Sequence, residues 1–143
     1  MPLLEGETYE IYRTELLKRY KHLLRSLGKD VPREKLNQLR EAFDLAARSH
    51  EGMVRKSGEP YIFHPLAVAQ IAVGELGLGP TSAICALLHD VVEDTEITLE
   101  DIEHRFGAKV ASIIDGLTKI STVFDNVDKE HSIQAENFKP KWF

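Results

Sequence analysis

The chain has 143 residues, 43% of them hydrophobic and 29% charged, an ordinary balance for a soluble globular protein with a single sizeable core. Its formal net charge of −5 speaks against broad nucleic-acid binding, which rests on a basic surface, but leaves room for a local basic pocket that takes a phosphorylated small molecule. The one cysteine, Cys85, excludes an internal disulfide and fits a reduced, cytoplasmic setting; no apolar stretch approaches a membrane span, and the acidic N-terminus is unlike a signal peptide.

Along the chain, apolar residues recur at helical spacing with almost no alternation of period two, which predicts an all-α fold. From about Thr8 to Leu27, Tyr9, Tyr12, Leu16, Leu17, Tyr20, Leu23 and Leu24 share one side, and Gly28 suits a C-terminal cap. After Asp30 and Pro32, a second helix carries Leu36, Leu39, Phe43, Ala46, Ala47 and His50. Gly52, Gly58 and Pro60 mark Glu51 to Phe63 as a loop. Pro65 fits the first position of a third helix running to about Gly77, and a fourth begins near Pro80 or Thr81. Thr98-Leu99-Glu100-Asp101 resembles a capping box that opens a short helix ending at Phe106-Gly107. A further helix carries Val110, Ile113, Ile114 and Leu117. Residues 121–143 read as a polar, irregular tail, in which Ile133 to Phe138 begin a helix that Pro140 interrupts. The whole reads as one domain, without repeat or linker.

The chemistry concentrates in the fourth helix. Ala83-Ile84-Cys85-Ala86-Leu87-Leu88-His89-Asp90-Val91-Val92 is apolar enough to be buried, and ionisable groups in such a helix are costly unless paired or bound to a metal. His89/Glu93 and Asp90/Asp94 each lie one turn apart, and His64 stands upstream before a proline. The ordinary alternative is a histidine–carboxylate pair satisfied in a core. The combination points instead to a divalent-metal hydrolase site, with His64, His89 and Asp90 as ligands and Glu93 and Asp94 placed to position or deprotonate a water.

Arg55-Lys56-Ser57-Gly58-Glu59-Pro60-Tyr61 is the second feature: Arg55, Lys56 and Ser57 suit phosphates or the face of a base, against the plain alternative of a solvated loop. Lys119 is a further candidate for a phosphate, or simply a cation at a helix C-terminus. His22, His104 and His131 read as surface or helix-end residues, and His50, on an apolar face, as a satisfied core histidine.

These residues form a specific set. Arg55 to Tyr61 followed by His64-Pro65, then Leu87-Leu88-His89-Asp90-Val91-Val92-Glu93-Asp94-Thr95, then Gly116-Leu117-Thr118-Lys119-Ile120, resemble the hydrolase domain of the Rel/SpoT family over roughly Tyr9 to Phe138. These are bacterial stringent-response enzymes built on the HD-type metal-dependent phosphohydrolase fold. The resemblance implies an HD-type helical bundle that removes the 3′-pyrophosphate of (p)ppGpp, giving GDP or GTP and pyrophosphate, usually with manganese. It implies His64, His89 and Asp90 as metal ligands, Glu93-Asp94 as the acidic pair that handles the water, and Arg55, Lys56 and Ser57 around the guanine nucleotide, with the arginine near the base.

The likeness departs at the end. In the family, the segment matching Gln134-Ala135-Glu136-Asn137-Phe138 continues as a long helix, and a later helix supplies an aspartate as fourth metal ligand. Here Lys139-Pro140-Lys141-Trp142-Phe143 stands in its place, so the expectation is a truncated or frame-shifted domain. From this follow an incomplete bundle, weak metal binding, low turnover and self-association through exposed apolar surface. Asp115, Asp125 and Asp128 are substitute ligands that no spacing selects. Two other readings stay open: a non-catalytic remnant acting as an interaction module, and an HD phosphohydrolase for another nucleotide.

Overall fold

The computed structural model describes the backbone of residues 6–131 and the side chains of residues 11–120. The helix expected from Ile133 and its interruption at Pro140 lie outside the described residues, as do the side chains of Tyr9, Asp125, Asp128 and His131. Every regular element among the described residues is a helix, with one isolated antiparallel bridge, Val54 to Pro60. It divides into two compact units, one up to Thr95 and one from Glu96.

In the first unit, α1 (Gly6–Leu27) buries Tyr20 and Leu23 and ends where Gly28, at φ 85°, turns its N–H back to the Arg25 carbonyl. Helix α2 (Arg33–Ser49) starts after Pro32 and buries Leu39, Ala42, Phe43, Leu45 and Ala46, the stripe that its 3.6-residue period puts on one face. The Tyr20 ring meets Phe43 edge-on at 4.4 Å, locking α1 to α2. Helix α3 (Phe63–Gln70) begins two residues before Pro65. The expected start at Pro65 is therefore corrected: the first turn of a helix has no intrahelical partner for its N–H groups, so a proline in its third position costs nothing there. The Gln70 side chain donates to the Ser26 hydroxyl at 2.9 Å and ties α3 to α1.

The chain does not continue as one regular helix to Gly77. Residues Ile71–Glu75 widen into a π turn, with the Leu76 N–H reaching the Ile71 carbonyl at 3.1 Å, and Gly77 at φ 67° ends it. Helix α4 (Pro80–Asp94) opens with proline in the first turn and packs against both α2 and α3. Ile84, Leu87, Leu88 and Val91 are fully buried, and truncating Ile84, Leu87 or Leu88 to alanine would cost about 2–5 kcal/mol.

In the second unit, α5 (Leu99–Phe106) carries the expected capping box: Thr98 Oγ1 accepts from the Asp101 N–H at 3.1 Å, and Asp101 accepts from the Thr98 N–H at 3.0 Å. Gly107, at φ 97°, separates it from α6 (Ala108–His131), and α5 packs on α6. Helix α6 runs on through 121–131, where polar composition suggested an irregular tail. That stretch holds neither glycine nor proline, so nothing in it breaks a helix already begun. Among the described residues, no helix is long and apolar enough to cross a membrane.

Candidate metal centre

Helix α4 carries its apolar face into the core and takes His89 and Asp90 with it, at 6% and 7% exposure. At that depth neither charge is tolerable alone. The structure answers with a cluster: ligand atoms of His89, Asp90 and Glu93 all lie within 4.8 Å of one another. His89 Nδ1 is 3.4 Å from Asp90 Oδ1, and its Nε2 is 3.8 Å from Glu93 Oε1. His64, in the first turn of α3, brings Nε2 to 3.9 Å from Asp90 Oδ2. Two imidazoles and two carboxylates form a nitrogen–oxygen donor set of the kind that suits manganese, iron or zinc. The residues fit a divalent ion. Among the described residues, the tightest group includes Glu93, which the sequence suggested only for handling water, whereas His64 joins it through Asp90.

The loop between α2 and α3 completes the wall. Met53 and Tyr61 are joined by a backbone bond of 2.9 Å, Arg55 and Glu59 by another of 2.9 Å, and Gly58 turns back to the Arg55 carbonyl at φ 88°. This narrow hairpin returns Tyr61 towards α4, where its hydroxyl donates to Asp90 Oδ2 at 3.0 Å. The Tyr61 ring also lies 4.7 Å from the His50 ring and 5.8 Å from that of His64. His50 bonds the Ala46 carbonyl through Nδ1 at 3.0 Å and brings Nε2 to 3.5 Å from Asp94 Oδ2.

The charges support each other. Burial pushes Asp90 up, but His89, the Tyr61 hydroxyl and His64 outweigh it and hold the carboxyl below the usual aspartate value. Burial pulls His89 down, but Asp90, Glu93 and Asp94 outweigh that and keep the imidazole above its usual value. Tyr61 is driven well above an ordinary phenol, first by burial and then by Asp90 and Asp94, with the Arg55 guanidinium partly offsetting them.

Of the residues singled out in the sequence, His64, His89, Asp90 and Glu93 come together, and Asp94 stands beside them through His50. Arg55, Lys56 and Ser57 form the exposed tip of the hairpin. Lys119 lies in the second unit and pairs with Asp115 at 3.1 Å, the two being one helical turn apart. His22 and His104 are exposed, as expected of surface histidines. Tyr61 as a partner of Asp90, and His50 as a neighbour of Asp94, are additions from the structure. The only hint in sequence was their position, an apolar-face histidine and a tyrosine bracketing the basic loop before His64.

The matched stretch covers this centre. A family model described as HD domain matches residues 42–140, more than half of the chain. The chain is 44% identical over 109 residues to the bifunctional (p)ppGpp synthase/hydrolase SpoT of Escherichia coli K12, covering 76% of this chain and 15% of that protein. It is 44% identical over 102 residues to the guanosine-3′,5′-bis(diphosphate) 3′-pyrophosphohydrolase of Aquifex aeolicus, covering 71% and 14%. It is 46% identical over 104 residues to a GTP pyrophosphokinase of Streptomyces coelicolor, covering 73% and 12%. The chain thus matches about one-seventh of the length of these relatives. With a buried His-Asp pair on α4, a further histidine on α3 and this family match, the chain belongs to the HD domain family.

Proposed function

We propose that this chain carries a (p)ppGpp 3′-pyrophosphohydrolase domain, cleaving (p)ppGpp to GDP or GTP and pyrophosphate. The observation that carries it is the buried His89-Asp90 pair with the exposed Glu93 one turn on, and with His64 and Tyr61 against Asp90, in a stretch shared with proteins named for that reaction. In this reading His64, His89 and Asp90 hold the ion, manganese by preference, with Glu93 at its side. A bound divalent ion supplies Lewis acidity at the phosphorus and a lower pKa for the attacking water.

The protein's own groups do the rest. Glu93 and Asp94 orient the water and take its proton. The water oxygen joins the inner phosphorus of the 3′-diphosphate, the bond from that phosphorus to the 3′ oxygen breaks, and the proton ends on the 3′ oxygen. Arg55, Lys56 and Ser57 hold the guanine nucleotide at the hairpin tip. The setting is cytoplasmic, without nucleic acid or membrane as partner. Leu76 and Leu78, apolar and exposed beyond the π turn, support self-association.

Pure protein incubated with labelled ppGpp tests this. Release of pyrophosphate that needs manganese and is competed by unlabelled ppGpp, but not by ATP, is expected. No release with metal present would make the chain a binding module, and equal turnover of ordinary nucleotides would assign it another substrate.

A further inference from the structure

Three polar side chains are buried among the described residues: His89 and Asp90 of the metal centre, and His50 at the end of α2. The first two are accounted for. His50 has a side chain with no exposure at all, and its two nitrogens face different groups. Nδ1 lies 3.0 Å from the Ala46 carbonyl, which only accepts, so Nδ1 carries a hydrogen. Nε2 has no hydrogen-bond partner of good geometry, and the group facing it is Asp94 Oδ2 at 3.5 Å. Of this pair the imidazole is shut off from water, while the Asp94 side chain is one-third exposed. The contact sets the edge of the ring that carries Nε2 against the carboxylate at the end of α4.

Asp94 needs such a partner. It is the last residue of α4, where the helix dipole disfavours a carboxylate, and Glu93 beside it adds a second negative charge. Its side chain is 33% exposed, so without an anchor it is free to swing into solvent. The His50 ring is itself held, by the Ala46 carbonyl on its own helix and by the face of Tyr61 at 4.7 Å.

We propose that His50 is a positioning residue that fixes the Asp94 carboxylate beside the metal centre, presenting Nε2 to Oδ2 across the α2–α4 contact. The catalytic consequence rests on the function proposed above, in which Asp94 handles the attacking water; the contact itself does not.

Two amide variants separate this role from a structural one. His50→Gln keeps a donor near the place of Nε2 and gives up the bond to Ala46. His50→Asn keeps a donor near the place of Nδ1 and leaves Asp94 alone. With folding and metal content matched, His50→Asn should lower kcat roughly 10- to 100-fold, the range seen when a supporting partner is lost, with KM nearly unchanged. His50→Gln should recover most of that loss. The reverse order, with Asn active and Gln inactive, would make His50 only a brace for the end of α2 and overturn the proposal. A second measurement needs neither turnover nor a His50 variant: in spectra of protein carrying 15N-labelled histidine, Asp94→Asn should move the Nε2 resonance of His50 and leave Nδ1 in place. An unmoved Nε2 signal overturns the proposal. A moved signal in a chain that releases no pyrophosphate from ppGpp upholds the pair and rejects the substrate assignment instead.

Discussion

The Tyr61 hydroxyl donates to Asp90 Oδ2 at 3.0 Å, so a loop tyrosine steadies a carboxylate on a helix 29 residues further along the chain. Asp90 is nearly buried and already shared between His89 and His64, and the phenol fixes which way its second oxygen points. Tyr61→Phe keeps the ring against His50 and His64 but removes the donor. Manganese affinity, measured by calorimetric titration, should fall about 10- to 100-fold with helical content unchanged. Equal affinity in the two proteins would show that the hydroxyl does not set the geometry of the centre.

A metal that binds only the folded chain must stabilise it. At a free concentration one hundred times its dissociation constant the gain is about 2.7 kcal/mol, which for a chain of this size raises Tm by about 5–10 °C. Asp90→Asn should abolish that shift while melting cooperatively without metal, since the amide fills the same space. A variant that still responds to manganese would move the ion elsewhere, away from the His89-Asp90-Glu93 group.

Much of this was legible in the sequence, for identifiable reasons. The apolar period of α2 and the uninterrupted apolar run of α4 dictate helices, and the cost of burying His89 and Asp90 predicts that they find partners. Local chemistry was equally readable: Gly28, Pro80 and the Thr98–Asp101 box sit where their backbone preferences put them. The widening of the helix at Ile71–Glu75 was not, because a π turn keeps the same composition as the α-helix it interrupts. Nor was the continuation of α6 to His131, since polarity indicates exposure and not loss of helix. His50 shows the remaining limit. Its burial follows from its place on the α2 face, but its approach to Asp94 spans 44 residues, and no periodicity reports a contact between two helices.

The capping box of α5 gives a test on the acid side. Thr98→Ala removes the acceptor for the Asp101 N–H and should cost about 1 kcal/mol in denaturant unfolding. Asp101 is held below its ordinary value of 3.8, first by the Thr98 backbone N–H and then by its side chain. A lowered carboxylate stabilises the fold above its unfolded value and loses that contribution as pH falls through the folded one. Asp101→Ala should therefore be less stable than wild type at neutral pH, with the difference narrowing below pH 3.8. A difference that stays constant down to pH 2 would show that the charge on Asp101 contributes nothing to the cap.

Arg55 and the metal centre should separate cleanly. Arg55 stands at the exposed tip of the hairpin whose returning arm supplies Tyr61, and its charge is felt at the Tyr61 hydroxyl. It belongs to neither the core nor the ligand set. If it holds the guanine nucleotide, Arg55→Ala removes charge-assisted bonds worth about 1.5–3 kcal/mol, which is roughly 10- to 150-fold in the dissociation constant for ppGpp. Manganese content and Tm should not change. Equilibrium binding of ppGpp, read beside metal analysis on the same sample, decides the matter. Loss of nucleotide with metal retained assigns Arg55 to the substrate. Parallel loss of both would mean that the arginine holds the hairpin itself, and through Tyr61 the geometry of Asp90.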